Sequence, residues 1–302
     1  MAATKIGIIG GSGLYALDGL TAVTTCVIDT PFGAPSGVVT CGRIDDAELF
    51  FIPRHGPHHS LSPSEINYRA NIYALKSLGA EWCVSVSAVG SLREEFSPGT
   101  VVVPDQLIDR TVHRAGTFFG EGLVAHVAFG EPYCQTLRGA IARVGDMIGR
   151  RDGFAVINGG TYVCMEGPAF STRAESHLYR SWGASIVGMT ALPEAKLARE
   201  AELAYATIAL VTDYDCWKAD GHDVDVAQVV TTMRTNVARA REILSALVAE
   251  LSNLRPSVAA THALDAAIMT PLELVPAGVT TRLRPLLARR LGAPIPQAGR
   301  RN

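Results

Sequence analysis

Eight short apolar runs, residues 5–9, 47–53, 82–87, 100–104, 154–158, 161–165, 184–188 and 204–211, are separated by stretches of helical spacing, and this alternation constrains the fold most. Runs this short and this apolar read as buried strands, and strands alternating with helices imply an α/β fold. The expected architecture is a single layered domain with a central mixed β-sheet flanked by helices. Residues 64–79 read as a helix that starts with Ser64 as N-cap, sets Ile66, Ala70, Tyr73 and Ala74 on one face and stops at Gly79. Residues 131–149, 173–182 and 193–202 read as further helices. A longer one, 223–254, carries Val226, Val229, Val230, Met233, Val237, Leu244, Leu247 and Leu251 at helical spacing and is ended by Pro256. The main domain is therefore set at 1–254. The segment 255–302, broken by prolines and finishing in Arg289, Arg290, Arg300 and Arg301, is left without assigned structure.

Composition narrows the class of partner. A chain of 302 residues with 48% hydrophobic and 19% charged residues can bury a full core. Its 27 basic and 29 acidic residues leave a formal charge of −2, so nucleic acid and anionic membranes are not electrostatic partners. Any anion site has to be local. The six cysteines are scattered without a C-x-x-C pair, and no secretory segment precedes the first run, which together imply reduced thiols in a cytoplasmic protein. No apolar stretch reaches transmembrane length.

Two segments suit an anion. Gly10-Gly11-Ser12-Gly13 follows the first run directly, and its glycines let backbone N–H groups turn inward beside the Ser12 hydroxyl. Arg54 and His55 follow the second run and offer a guanidinium fork with a neighbouring imidazole, a donor set suited to phosphate. The glycine loop has two rival readings. It is a plain turn, or, since residues 11–16 fit G-x-G-x-x-A with Asp29 downstream, a dinucleotide site. The second requires a long helix that Asp18-Gly19 interrupts at once. His55, His58 and His59 form no metal set, because Gly56 and Pro57 break their spacing and no thiol or paired carboxylate lies near in sequence.

Four strand ends add candidates. Thr212-Asp213-Tyr214-Asp215-Cys216-Trp217 places two carboxylates just past a wholly apolar run, where α/β folds bind ligands, with aromatics to dry the site. Turn-forming aspartates are the bland alternative. Met165 to Ser171 ends a strand in a bend that presents Phe170; Ser85 to Ser91 ends one in small and hydroxylic residues; Val187 to Glu194 ends a third.

Gly-Gly-Ser-Gly-Leu at 10–14, Asp-Thr-Pro-Phe-Gly at 29–33, Arg-His-Gly at 54–56, Asn-Tyr-Arg-Ala-Asn at 67–71, Gly-Ser-Leu-Arg-Glu-Glu at 90–95, Asp-Gln-Leu-Ile-Asp-Arg-Thr at 105–111, Glu-Gly-Pro at 166–168, Arg-Ala-Glu-Ser at 173–176 and Thr-Asp-Tyr-Asp-Cys-Trp-Lys at 212–218 occur in one order. In them the chain resembles the 5′-methylthioadenosine phosphorylases of the trimeric purine nucleoside phosphorylase superfamily, over about residues 5–254. The resemblance implies a nucleoside phosphorylase-like fold and cleavage of methylthioadenosine by inorganic phosphate, giving adenine and 5-methylthioribose-1-phosphate. It implies no metal or organic cofactor. It assigns phosphate to Ser12, Arg54, His55, Ser87, Ala88 and Thr190, the ribose to Met189, and the purine to Phe170, Ser171, Asp213, Tyr214 and Asp215. Val226 and Val229 would wall the methylthio group, and His126 would reach a neighbour's site in a homotrimer. Ser12 and Ser87 stand where the family usually has threonine, and Gly188 where close relatives carry asparagine.

The residue types suit that chemistry. A buried aspartic acid at Asp213, its pKa raised by burial and by Asp215, could protonate the purine at N7, a contribution of roughly 10²–10⁴ in rate. Carboxylates accept from an exocyclic amine and repel a carbonyl, which favours adenine over 6-oxopurines. A 6-oxopurine nucleoside phosphorylase is the alternative within the superfamily; a dinucleotide-binding oxidoreductase and a catalytically silent nucleoside sensor are alternatives from other classes.

Overall fold

The computed structural model of the protein describes residues 3–218 and 226–292, without the side chains of Ser12 and 226–231. Eleven strands join in one sheet: β1 (Lys5–Gly10), β2 (Thr21–Cys26), β3 (Val39–Ile44), β4 (Ala47–Pro53), β5 (Trp82–Ser91), β6 (Val101–Val103), β7 (Gln106–Arg110), β8 (Val156–Asn158), β9 (Thr161–Met165), β10 (Ile186–Gly188) and β11 (Ala204–Asp213). One path through the sheet runs β2-β3-β4-β1-β5-β10-β9-β7, and β11 branches from β5 to carry β6 and β8. The sheet is mixed, as the sequence implies. All eight apolar runs are strands.

β2, β3 and β7 are strands that hydrophobic pattern does not announce. β2 is exposed along nearly its whole length at the sheet edge, so it has no buried face to mark it. β7 reads Gln-Leu-Ile-Asp-Arg, and β3 contains Gly42 and Arg43.

The parallel pairings decide where chemistry can occur. β1 lies between β4 and β5 with Gly10 opposite Pro53, and β11 runs parallel to β5 with Ala209 opposite Ser87 and Asp213 opposite Gly90. Ser12 and Arg54, just past β1 and β4, and Ser87-Ala88 and Asp213, in the carboxyl-terminal halves of β5 and β11, therefore lie toward one edge of the sheet, at the strands' carboxyl ends.

Helices α1 (Tyr68–Ser77), α2 (Gln135–Asp152), α3 (Arg173–Ser181), α4 (Ala191–Glu200) and α5 (Val226–Leu251) correspond to the five expected. The start of α1 is corrected by one turn. Asn67, not Ser64, is the N-cap: its side-chain oxygen accepts from Ala70 N, while the Ser64 hydroxyl is spent on Glu166. α3 starts as expected because Thr172 and Glu175 close a reciprocal capping box.

The segment after α5 forms α6 (Val258–Thr261), α7 (Ala277–Arg282) and α8 (Arg284–Leu287). Leu264, Leu283, Leu286 and Leu287 are buried in the same core as the strands, and Tyr73 in α1 donates to Arg282 O. It is a covering layer over α1. Among the described residues no helix is long and apolar enough to cross a membrane.

The long first helix that a dinucleotide site needs is absent from its place. After β1 the chain makes a single 3-10 turn, Ser12–Tyr15, and re-enters the sheet at Thr21.

Candidate active site

At one end of the carboxyl edge lies the anion-binding set. Arg54 follows β4 and is only 2% exposed, its backbone N–H held by Gly10 O at 3.0 Å. The guanidinium has five N–H groups. Its Nε donates to Glu194 Oε2 at 3.0 Å, Nη1 to Val86 O at 2.8 Å, and Nη2 to Ile9 O, Ser85 Oγ and Glu194 Oε1 at 3.1, 2.6 and 3.1 Å. The two parallel bonds that sequence reasoning reserves for phosphate are thus made to Glu194, which is fully buried and also accepts from Tyr205 Oη at 2.9 Å. One Nη1 hydrogen remains for a ligand. Glu194 holds the charge of Arg54 in place, and with that carboxylate beside it the guanidinium stays protonated at any accessible pH.

His55 differs from the expected extra donor in a similar way. Burial, with the Arg54 charge second, lowers its pKa to about 4, so the ring is neutral near pH 7. Nδ1 lies 2.9 Å from Leu61 O, which only a protonated nitrogen can satisfy, and the ring stacks on His59 at 4.2 Å. Nε2 is therefore an acceptor, suited to a protonated oxygen of phosphate. No third ligand joins the two imidazoles, and no group of three potential metal ligands occurs among the described residues.

Ser87 and Thr190 are 7% and 6% exposed, and Ala88 is exposed at the strand surface. The Ser87 Oγ is buried without a hydrogen-bond partner. Ser12 opens the 3-10 turn directly after β1.

The second end holds the carboxylates. Asp213 closes β11 after a bulge, its Oδ1 accepting from Asp215 N at 2.8 Å and its Oδ2 from Thr212 Oγ1 at 2.6 Å. Asp215 sits in a left-handed turn (φ 51°), 8% exposed, with Oδ2 buried and unpartnered. Burial raises both pKa values, and the Asp213 charge raises that of Asp215 further. Space for the pair comes from Gly90: a Cβ there would stand 2.9 Å from Asp213 Oδ1 and 3.3 Å from Asp215 Cβ.

Between the two ends, Met189 packs its sulfur over Gly167, where a Cβ would come within 2.6 Å. Arg114, which nothing in the sequence singles out, locks this wall. Its side chain is 2% exposed and donates to Met189 O at 2.6 Å, Leu192 O at 2.8 Å, Tyr68 Oη at 3.2 Å and both the side chain and backbone of Glu166. Phe170, 49% exposed, extends from the same loop. Ser171 is buried, its Oγ on Met165 Sδ and its carbonyl accepting from Cys216.

Four assigned residues remain. The Tyr214 hydroxyl donates to Glu94 O at 3.1 Å and its ring lies under Lys218, which braces the neighbouring loop. His126 is exposed, bonded through its N–H to Ala267 O. Val226 and Val229 begin α5, but their side chains lie outside the described residues. A cleft of about 410 Å³ lined by Lys5, Arg43, Glu48 and Ser77 contains none of the site residues.

The family model of the phosphorylase superfamily matches residues 5–249. The S-methyl-5′-thioadenosine phosphorylase of Thermosynechococcus vestitus is 52% identical over 287 residues, covering 95% of this chain and 99% of that protein. The crystal structure of a methylthioadenosine phosphorylase from an antarctic soil metagenomic library superposes with a TM-score of 0.89 at 46% identity, over 95% of this chain and all of that one. A methylthioadenosine phosphorylase from Schistosoma mansoni in complex with adenine superposes with a TM-score of 0.81 at 36% identity, over 88% and 99% of the two chains.

Proposed function

The chain belongs to the phosphorylase superfamily, and from that premise we infer that it cleaves 5′-methylthioadenosine with inorganic phosphate, releasing adenine and 5-methylthioribose-1-phosphate. It is a pentosyltransferase of the purine nucleoside phosphorylase type. One observation carries the reading. Two buried oxygens, the Ser87 hydroxyl, which can donate, and Asp215 Oδ2, which as a carboxylate only accepts, are left without protein partners in the carboxyl-terminal half of β5 and just past its parallel neighbour β11. A donor suits the anion, and a carboxylate oxygen suits an exocyclic amine.

In the proposed reaction phosphate lies under C1′, held by Ser12, Arg54, His55, Ser87, Ala88 and Thr190. As the glycosidic bond stretches, the ribose gains oxocarbenium character, which the anion stabilises before attacking, so no protein nucleophile is required. Arg54 acts chiefly as a buried charge that orients the strand ends, with one N–H to spare. Asp213 delivers a proton to N7 of the departing base while Asp215 accepts from the amine, the two titrating as a coupled pair. Phe170 and Ser171 bound the base, Tyr214 braces the loop behind it, Met189 lines the ribose, and Val226 and Val229 receive the methylthio group. The reaction needs no metal or organic cofactor. The enzyme works in the cytoplasm as a homotrimer, each subunit lending His126 to its neighbour. The exposure of His126 supports that role.

The 6-oxopurine alternative is disfavoured by the same Asp215 oxygen, which a carbonyl would repel. Purified protein incubated with methylthioadenosine, and separately with methylthioinosine, with and without phosphate, tests the reading. Adenine released only when phosphate is present supports it; preferential hypoxanthine release sinks it.

A further inference from the structure

Cys26 ends β2 and Cys41 sits inside β3, and their sulfurs stand 3.1 Å apart as reduced thiols. The two residues are not directly opposed. Cys26 pairs with Val39 and Cys41 with Thr24, so the thiols meet along the diagonal of an antiparallel ladder, beside an irregularity between Thr21 and Thr24. A disulfide places its sulfurs about 2.05 Å apart, so about 1 Å of closure separates this contact from a bond. Diagonal neighbours in such a ladder lie roughly 7–8 Å apart at Cα, more than the roughly 4.4–6.8 Å that a disulfide spans, so bonding requires the backbone to shift. β2 is free to make that shift, because it is an exposed edge strand, whereas β3 is held on its other side along β4. Disulfides that form against such resistance are the readily reduced ones.

Access comes from the cleft of about 410 Å³ that contains none of the site residues. Cys41 lines it together with Lys5, Arg43, Glu48 and Ser77, so a small oxidant has a route to one sulfur of the pair. The other thiols are less available. Cys83 and Cys164 are fully buried, Cys134 Sγ meets Ser257 Oγ at 3.4 Å, and Cys216 Sγ donates to Ser171 O at 3.1 Å.

The pair also brackets the loop 27–38, which packs beside the phosphate set. Ser36 N donates to Asn71 Oδ1 at 2.8 Å, and Ser36 Oγ accepts from Asn71 Nδ2 at 2.9 Å. A Cβ on Gly37 would stand 2.7 Å from Pro53 Cγ and 3.7 Å from Pro57 Cδ, and one on Gly56 would stand 3.1 Å from Ser36 O. Pro53 and Gly56 flank Arg54 and His55 in the chain. We propose that Cys26 and Cys41 are a redox-sensitive pair, oxidised by a peroxide to a disulfide that draws the ends of this loop together and weakens phosphate binding. The Cys41 sulfur attacks one peroxide oxygen, the O–O bond breaks, and a sulfenic acid and water are formed. The Cys26 sulfur then attacks the Cys41 sulfur and expels its hydroxyl as a second water. Two thiols lose two protons and two electrons, and hydrogen peroxide gains them. The sulfur chemistry stands apart from the phosphorolytic reading, and only its effect on phosphate rests on that reading.

The full chain is treated with hydrogen peroxide, quenched, and examined by thiol titration and peptide mass spectrometry. Two of the six thiols should be lost, with a peptide linking Cys26 to Cys41 and a mass lower by about 2 Da. KM for phosphate should rise about threefold, the effect of weakening one hydrogen bond, and dithiothreitol should reverse both changes. Cys26→Ser, and Cys26→Ala should serine disturb the packing, should hold its phosphate KM through the same treatment. Absence of the linked peptide overturns the proposal, as does a phosphate KM unchanged by the disulfide or raised equally in the Cys26 variants. If adenine release proves independent of phosphate, the phosphorolytic reading falls while the linked peptide still decides the thiol pair.

Discussion

Replacing Glu194 by glutamine tests the way the site holds its cation. The substitution keeps shape and one acceptor oxygen but leaves the Arg54 guanidinium, 2% exposed, without its counter-charge. Removing one partner of a buried, hydrogen-bonded ion pair costs about 3–5 kcal/mol. For a chain of this size each kcal/mol lowers the melting temperature by roughly 2 °C, so the expected drop is about 6–10 °C. Circular dichroism melts at pH 7.5 without phosphate give the number directly. The same melts on Arg54→Met/Glu194→Leu separate charge from packing. With both charges gone the desolvation penalty disappears, and the double variant should recover at least half of the loss, although its phosphate binding is destroyed. A drop below about 2 °C, or a double variant less stable than the single, would refute the view that Glu194 exists to neutralise Arg54.

Asp215→Asn exchanges function for stability. Because the folded pKa of Asp215 is raised, its ionisation opposes folding above the ordinary aspartate range, so the variant should be more stable than the parent at pH 8 by about 0.5–2 kcal/mol. That advantage should vanish as the pH falls below about 4, where the parent carboxyl is protonated in both states. The same variant should lose its preference for adenine over hypoxanthine nucleosides, and an unchanged turnover ratio would contradict the role given to Oδ2. His55 has the opposite sign: its folded pKa of about 4 lies below the ordinary histidine value, so it supports folding at neutral pH and loses that contribution as the pH drops towards 4. His55→Gln melts should converge on those of the parent over this window, and a constant offset would count against the neutral ring.

The strands were legible where both faces of the sheet are covered, because burial on both sides leaves an apolar run. They were illegible at β2, whose exposed edge position selects for no pattern. Ser64 and Asn67 are both competent caps, and the choice between them is made by Glu166, a contact 102 residues away. The same distinction governs the site. Arg54, Asp213 and Asp215 announce themselves as charged residues at the ends of apolar runs. Glu194, 140 residues from Arg54, and Arg114, 52 residues from Glu166, act through partners that only the folded sheet brings near. Tyr162 reads in sequence as one more aromatic in a strand, and only the fold shows that its hydroxyl occupies the space a side chain at Gly188 would fill.

That orthophosphate itself attacks C1′ can be read from the fate of an oxygen atom. The reaction is run to completion in H₂¹⁸O with unlabelled phosphate, and the sugar product is weighed by mass spectrometry. Attack by phosphate requires methylthioribose-1-phosphate whose C1 oxygen is unlabelled, formed one for one with adenine. Free methylthioribose formed one for one with adenine, with no phosphate consumed, would mean that water is the nucleophile, and the anion site described above would have no part in the chemistry.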